Sequence, residues 1–196
     1  MLENAILDAD FCIRLGRFNG IKLLELLIPS VVKKAYIHQY VYNDEILIPA
    51  SAKIQINQLI KGGNIEVIDD KNFSATDKSL FEATKVLLKR VMIGTQEKGK
   101  NWGEVLSLAS AKVLGITILM SDESMLQNII DRHLNIGSPN DIKVFRVINV
   151  IEWIRDNPTC GINRKIAKAI WAASDKSRAV VEVSKKIFND IWPVIN

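Results

Sequence analysis

Four acidic residues lie far apart along the chain, each where secondary structure could carry it to a shared place. They are Asp8 closing Ala5-Ile6-Leu7-Asp8, Glu45 in Tyr42-Asn43-Asp44-Glu45-Ile46, Glu104 in Trp102-Gly103-Glu104-Val105, and Asp122 after Ile118-Leu119-Met120-Ser121. Asp8 and Asp122 end short, continuously apolar runs, the pattern of parallel strands buried on both faces. In open α/β sheets, ligands bind at the carboxyl ends of such strands. Carboxylates gathered there repel one another, and a hard divalent cation with oxygen ligands relieves that repulsion. The chemistry these residues point to is a metal site. Each acid also has a plainer use. Asp after a strand caps a helix or closes an Asx turn, and Glu104 falls in a first helical turn, where the macrodipole favours an acid. Asp44 adjoins Glu45 as its rival; Glu45 is preferred because an apolar residue follows it directly. Each signal is weak alone, and the weight lies in their joint order.

The elements that must position these acids alternate along the chain. Strands are expected at 4–8, 65–68, 116–120 and 142–147. A helical run over 11–28 breaks near Gly16–Gly20 and stops at Pro29. An apolar and aromatic run at 35–41 leads into a helical turn at Asn43-Asp44-Glu45. An amphipathic helix follows Pro49-Ala50-Ser51 and ends at Gly62-Gly63, and Ser74-Ala75-Thr76-Asp77 caps a helix to about Val91. Residues 94–103 form a loop, and helices follow over 104–114 and 124–134. A short helix carries Ile151, Trp153 and Ile154, and one or two more follow the break at Asn157–Gly161. Strands alternating with helices predict a three-layer α/β/α sandwich around a central, mostly parallel sheet, with C-terminal helices appended. Right-handed crossovers then bring Asp8 and Asp122 to one edge.

The order strand–Asp8, turn–Glu45, Gly103-Glu104 followed by Ala109, Ala111 and Gly115, and strand–Ser121-Asp122-Glu123 resembles the PIN domain, a family of metal-dependent nucleases. The resemblance runs from about residue 4 to 155. It implies a nuclease domain over 1–157 with a basic helical extension over 158–196. It further implies that Asp8, Glu45, Glu104 and Asp122 are the catalytic and metal-binding acids, holding Mg²⁺ or Mn²⁺. Asp10 and Glu123 become outer acids, and Ser121 the polar neighbour of the last one. The implied activity is hydrolysis of RNA, or of single-stranded DNA, leaving a 5′-phosphate and a 3′-hydroxyl. An antitoxin-like protein inhibitor and a homodimer are partners known for such domains. Two other readings compete. Asp8-Ala9-Asp10 after a first strand also looks like a haloacid-dehalogenase-type phosphatase, with Asp8 as nucleophile and Asp10 as acid/base, although Phe11-Cys12 departs from that pattern. A catalytically silent nucleic-acid-binding or partner-regulated module would keep the acids without turnover.

Composition sets bounds on these readings. At 48% hydrophobic and 24% charged, the chain has the content of a globular protein with a substantial core. Cys12 and Cys160 make no spaced cluster, so neither a disulfide framework nor a zinc site is expected, and Cys12 reads as a small buried hydrophobe. His38 and His133, the only histidines, read as structural. Nothing at the N-terminus resembles a signal peptide, and no apolar run suits a membrane span; a cytoplasmic protein is expected. Residues 161–196 carry Arg164, Lys165, Lys168, Lys176, Arg178, Lys185 and Lys186 against Asp175, Glu182 and Asp190, a balance equal to the +4 of the whole chain. That tail, with Lys33, Lys34, Lys98 and Lys100, suits a phosphate backbone.

Overall fold

The computed structural model describes residues 1–18, 20–94, 100–174 and 181–193, without the side chains of 181–184. Five strands form one all-parallel sheet: β1 (Leu2–Leu7), β2 (Val32–His38), β3 (Ile65–Ile68), β4 (Ile118–Met120) and β5 (Lys143–Phe145). Their order is β3-β2-β1-β4-β5. The helices are α1 (Ala9–Gly16), α2 (Leu23–Val31), α3 (Ala50–Lys61), α4 (Ala75–Met92), α5 (Trp102–Leu114), α6 (Leu126–His133), α7 (Val147–Asp156), α8 (Arg164–Ser174) and α9 (Val181–Ile191).

The layers follow from the two-residue period of a strand. Ala5, Leu7, Ile118 and Met120 pack into one core with α1, α2, α3, α7 and α8. Ile6 and Leu119, pointing the other way, pack with Leu88, Val105, Leu108 and Ile130 of α4, α5 and α6. This is the three-layer α/β/α arrangement that alternation predicts. The segment after Pro158 belongs to the first core: Ile162, Ala167, Ile170, Ala173, Phe188 and Ile191 are buried in it. No helix among the described residues is long and apolar enough to cross a membrane.

Two sequence expectations are corrected. Pro29 does not stop a helix; it lies inside α2, whose last turn runs on to Val31. Proline forfeits one backbone hydrogen bond there. Leu23, Leu24, Leu27, Ile28 and Val31 are nonetheless all buried on one face, and that burial outweighs the lost bond. The stretch expected only as an apolar run from 35 is an inner strand, β2, which begins at Val32 and pairs on both edges. Lys33 and Lys34 hide its start in the sequence. Their charges are met from neighbouring strands, Lys33 Nζ by Glu3 Oε1 at 2.6 Å and Lys34 Nζ by Glu66 Oε2 at 3.2 Å. Both lysines therefore lie at the amino ends of the strands, opposite the acid-bearing edge, and are not phosphate contacts for it.

One close approach fixes α1 on α3. A Cβ at Gly16 would lie 2.5 Å from Ala52 Cα and 2.6 Å from its Cβ. The buried Gln55 stitches the same junction, donating from Nε2 to the Gly16 carbonyl and accepting the Leu24 N–H at its Oε1, each at 3.1 Å. It thereby satisfies one of the orphan N–H groups that begin α2. Because α1 directly follows Asp8, this junction also sets the entry to the acid-bearing edge. Gly16→Ala is expected to lower the unfolding free energy by about 2 kcal/mol, since neither contact atom is the free end of a side chain; chemical denaturation measures it.

Candidate functional site

The strand order reverses between β1 and β4, and open α/β sheets form their ligand crevice at such a point. Asp8 is the first residue past β1. Its N–H donates to the Met120 carbonyl at 3.0 Å, continuing the pairing of the two strands by one residue. Ser121, the first residue past β4, donates from Oγ to Asp8 Oδ2 at 2.8 Å. Asp8 is 2% exposed. Burial pushes its carboxyl up to about 8; the charge of Glu104 adds to the rise and the Ser121 hydrogen bond opposes it.

Two further acids reach this place from other elements. Glu104 sits in the first turn of α5, and burial, followed by the charges of Asp10 and Glu123, raises its pKa. Glu45 ends a π-helical turn, Val41–Glu45, that follows β2. Burial and then Glu104 push its carboxyl up to about 7. Its Oε1 accepts the Gly103 N–H at 3.1 Å. A Cβ on Gly103 would fall 2.6 Å from the Glu45 Cδ and 2.7 Å from Oε1, so only glycine leaves room for this carboxylate. Asp44, the neighbouring acid, is exposed. Burial and the charge of Asp8 likewise raise the Cys12 thiol beside the crevice.

Asp122, the fourth acid, is placed differently. Its Oδ2 accepts from Arg14 Nη1 at 2.9 Å and its Oδ1 from the Val147 N–H at the start of α7 at 3.3 Å, with Arg146 Nε 3.8 Å away. Arg14 also pairs through Nη2 with Asp10 at 2.8 Å. The structure thus places Asp8 and Glu45 each within electrostatic reach of Glu104 and commits Asp122 to an arginine. Arg14 does not stand out in the sequence; its i,i+4 spacing from Asp10 on a helix is the one signal there. A pocket of about 360 Å³ beside them is lined by Arg14, Asp122, Ser124, Arg146 and Trp171. The last of these comes from α8, and Arg14 and Arg17 donate to the Ser174 and Ala173 carbonyls at its end.

Among the described residues, no three His, Cys, Asp or Glu side chains already stand as a metal-ligating group. The donor chemistry still fits a hard divalent cation. Asp8, Glu45 and Glu104 offer only carboxylate oxygens, and burial first, then neighbouring acids, raise all three above their ordinary range. The remaining expected phosphate contacts are scattered. Lys98, Lys176 and Arg178 lie outside the described residues. Arg164 is engaged within the fold, donating to the Trp192 carbonyl and to Asn189 Oδ1. Lys165, Lys168, Lys185 and Lys186 are exposed. Comparison of the chain with models of protein families, with curated proteins and with solved structures finds no match.

Proposed function

We propose that the chain is a Mg²⁺- or Mn²⁺-dependent ribonuclease whose cation would be held by Asp8, Glu45 and Glu104. The supporting observation is that Asp8 at the sheet reversal, and Glu45 and Glu104 from two other elements, are each raised by burial, with the charge of Glu104 adding to the rise at Asp8 and Glu45. Groups held so far from their ordinary protonation cluster at functional sites. A divalent cation held there would supply an activated water and neutralise charge developing at the scissile phosphate.

The chain's own residues do the rest. Ser121 fixes the Asp8 carboxylate and the Gly103 N–H fixes that of Glu45. Arg14, anchored by Asp10 and Asp122, faces the pocket that Arg146 also lines, so two guanidiniums meet a backbone phosphate there. In this reading Asp122 acts through Arg14 rather than as a metal ligand. The products carry a 5′-phosphate and a 3′-hydroxyl, and single-stranded DNA is a secondary substrate. An inhibitor protein covering the acids, a homodimer and a cytoplasmic location complete the proposal.

The purified chain with Mn²⁺ is expected to cut single-stranded RNA, and a chelator to stop it. Glu45→Gln should cost ~100-fold or more in kcat/KM and Asp44→Asn less than about threefold; equal losses would move the second acid to Asp44. One observation favours a silent RNA-binding module instead: the Arg14 guanidinium already pairs with both Asp10 and Asp122. RNA binding without any Mn²⁺-dependent cleavage decides for that reading.

A further inference from the structure

On the flank of the acid cluster, between the end of β2 and the first turn of α5, lies a second pocket of about 370 Å³. Half-buried Tyr40 and Trp102 give it aromatic walls. His38, 3% exposed and stacked on Phe81 with ring centroids 6.2 Å apart, also lines it. The Tyr40 N–H donates to His38 Nδ1 at 3.1 Å. In the neutral ring the hydrogen is then on Nε2, and burial favours that neutral ring. Nε2 makes no hydrogen bond, although it lies 3.4 Å from Asp70 Oδ1, which lines the same pocket. A buried donor left unpaired is costly, and native structures rarely leave one without a reason. Lys71 and Lys85 also border the pocket. Two residues of its lining stand next to the acids in the chain: Trp102 precedes Glu104 by two residues and Asp44 adjoins Glu45.

We propose that this pocket binds a guanine of single-stranded RNA, next to the phosphodiester presented to Asp8, Glu45 and Glu104. The proposal rests on the ribonuclease reading for the neighbouring phosphodiester, while the base contact stands on the pocket alone. The aromatic walls offer a stacking surface, which contributes about 1–3 kcal/mol per base whatever its identity. Identity comes from the edge. The His38 Nε2–H is a donor beside the Asp70 carboxylate, an acceptor of two hydrogen bonds. Guanine alone sets an acceptor, O6, beside two donors, N1–H and N2–H. Lys71 meets a flanking phosphate, while Lys85 is paired with Glu82.

The test uses the full chain in a chelator, so that it does not depend on cleavage. The four 5′-mononucleotides are titrated while the indole N–H resonances are followed by NMR, with the Trp102 signal assigned from Trp102→Phe. GMP should shift the Trp102 signal and bind about fivefold or more tightly than AMP, CMP or UMP, and Asp70→Asn should abolish that preference. A Trp102 signal unmoved by ~10 mM GMP, or equal binding of all four bases by the wild-type chain, overturns the proposal whether or not the variant folds. Guanine binding in a chain that never cleaves RNA would keep the pocket and remove the ribonuclease. Cleavage in a chain whose Trp102 signal ignores GMP would do the reverse.

Discussion

Asp8→Asn is expected to make the metal-free protein more stable and to abolish its activity. The carboxyl is buried and raised from 3.8 to about 8, chiefly by the loss of solvent and next by Glu104. A carboxyl whose folded pKa exceeds its unfolded one favours the folded state most when protonated in both. That contribution is intact below about 3.8 and is lost progressively as pH rises toward about 8. Near pH 8 the wild-type chain therefore bears nearly the whole cost of this group, and near pH 5 only the first part of it. An amide of the same shape carries no such cost, and its oxygen can still accept from Ser121. The substitution should raise the unfolding free energy by on the order of 3 kcal/mol at pH 8 and by about 1 kcal/mol at pH 5, since each tenfold change in proton affinity is worth about 1.4 kcal/mol and local relaxation removes part of it. Chemical denaturation at the two pH values in a chelator measures the difference. Cleavage of RNA with Mn²⁺ should fall ~100-fold or more in the same variant. A variant less stable than wild type at pH 8 would mean that Asp8 is compensated inside the fold, which would remove the argument for a cation. By the same linkage, cation loading should release protons and tighten as pH rises through 7 to 8, where the carboxyls at about 7 and about 8 lose theirs.

Gly103→Ala should separate function from stability in the other direction. The added Cβ would overlap the Glu45 carboxylate, which ends a flexible side chain and can rotate away. Alanine is also the better residue within a helix, by about 1 kcal/mol. Stability should therefore stay within about 1 kcal/mol of wild type, while Glu45 leaves its Gly103 N–H and its place beside Glu104. The expected loss of activity is about 30-fold or more, or ~2 kcal/mol of transition-state stabilisation. A double-mutant cycle supplies the control. With Glu45→Gln already in place, adding Gly103→Ala should cost little more, because both changes remove the same carboxylate. Additive losses would mean that Gly103 acts through something other than Glu45.

These two residues illustrate how far the chain is legible before it folds. Asp8 stands out because a short apolar run ending in an acid is a local pattern, and β1 and β4 need only such runs. The Gly103-Glu104 pair is legible as a motif, but its reason is not: the glycine is required by a side chain 58 residues earlier in the chain. Strand β2 is obscured by Lys33 and Lys34, whose charges are met by Glu3 and Glu66 on the strands either side. Arg14 is easily passed over because its second partner, Asp122, is 108 residues away.

The alternation of strands and helices, the parallel sheet that alternation requires, and the delivery of Asp8 and Asp122 to one edge all follow from the order of residues. Hydrophobic periodicity and crossover handedness are local properties, carried by each segment alone. Which acids share a charge environment is a matter of packing. The folded chain sets Asp8 and Glu45 each in the field of Glu104, gives Asp122 to Arg14, buries the basic tail's apolar face in the main core, and leaves the His38 donor facing Asp70. The physical reason is that desolvation and Coulomb interaction depend on what lies within a few ångströms in space, and that neighbourhood is set by packing rather than by position in the chain.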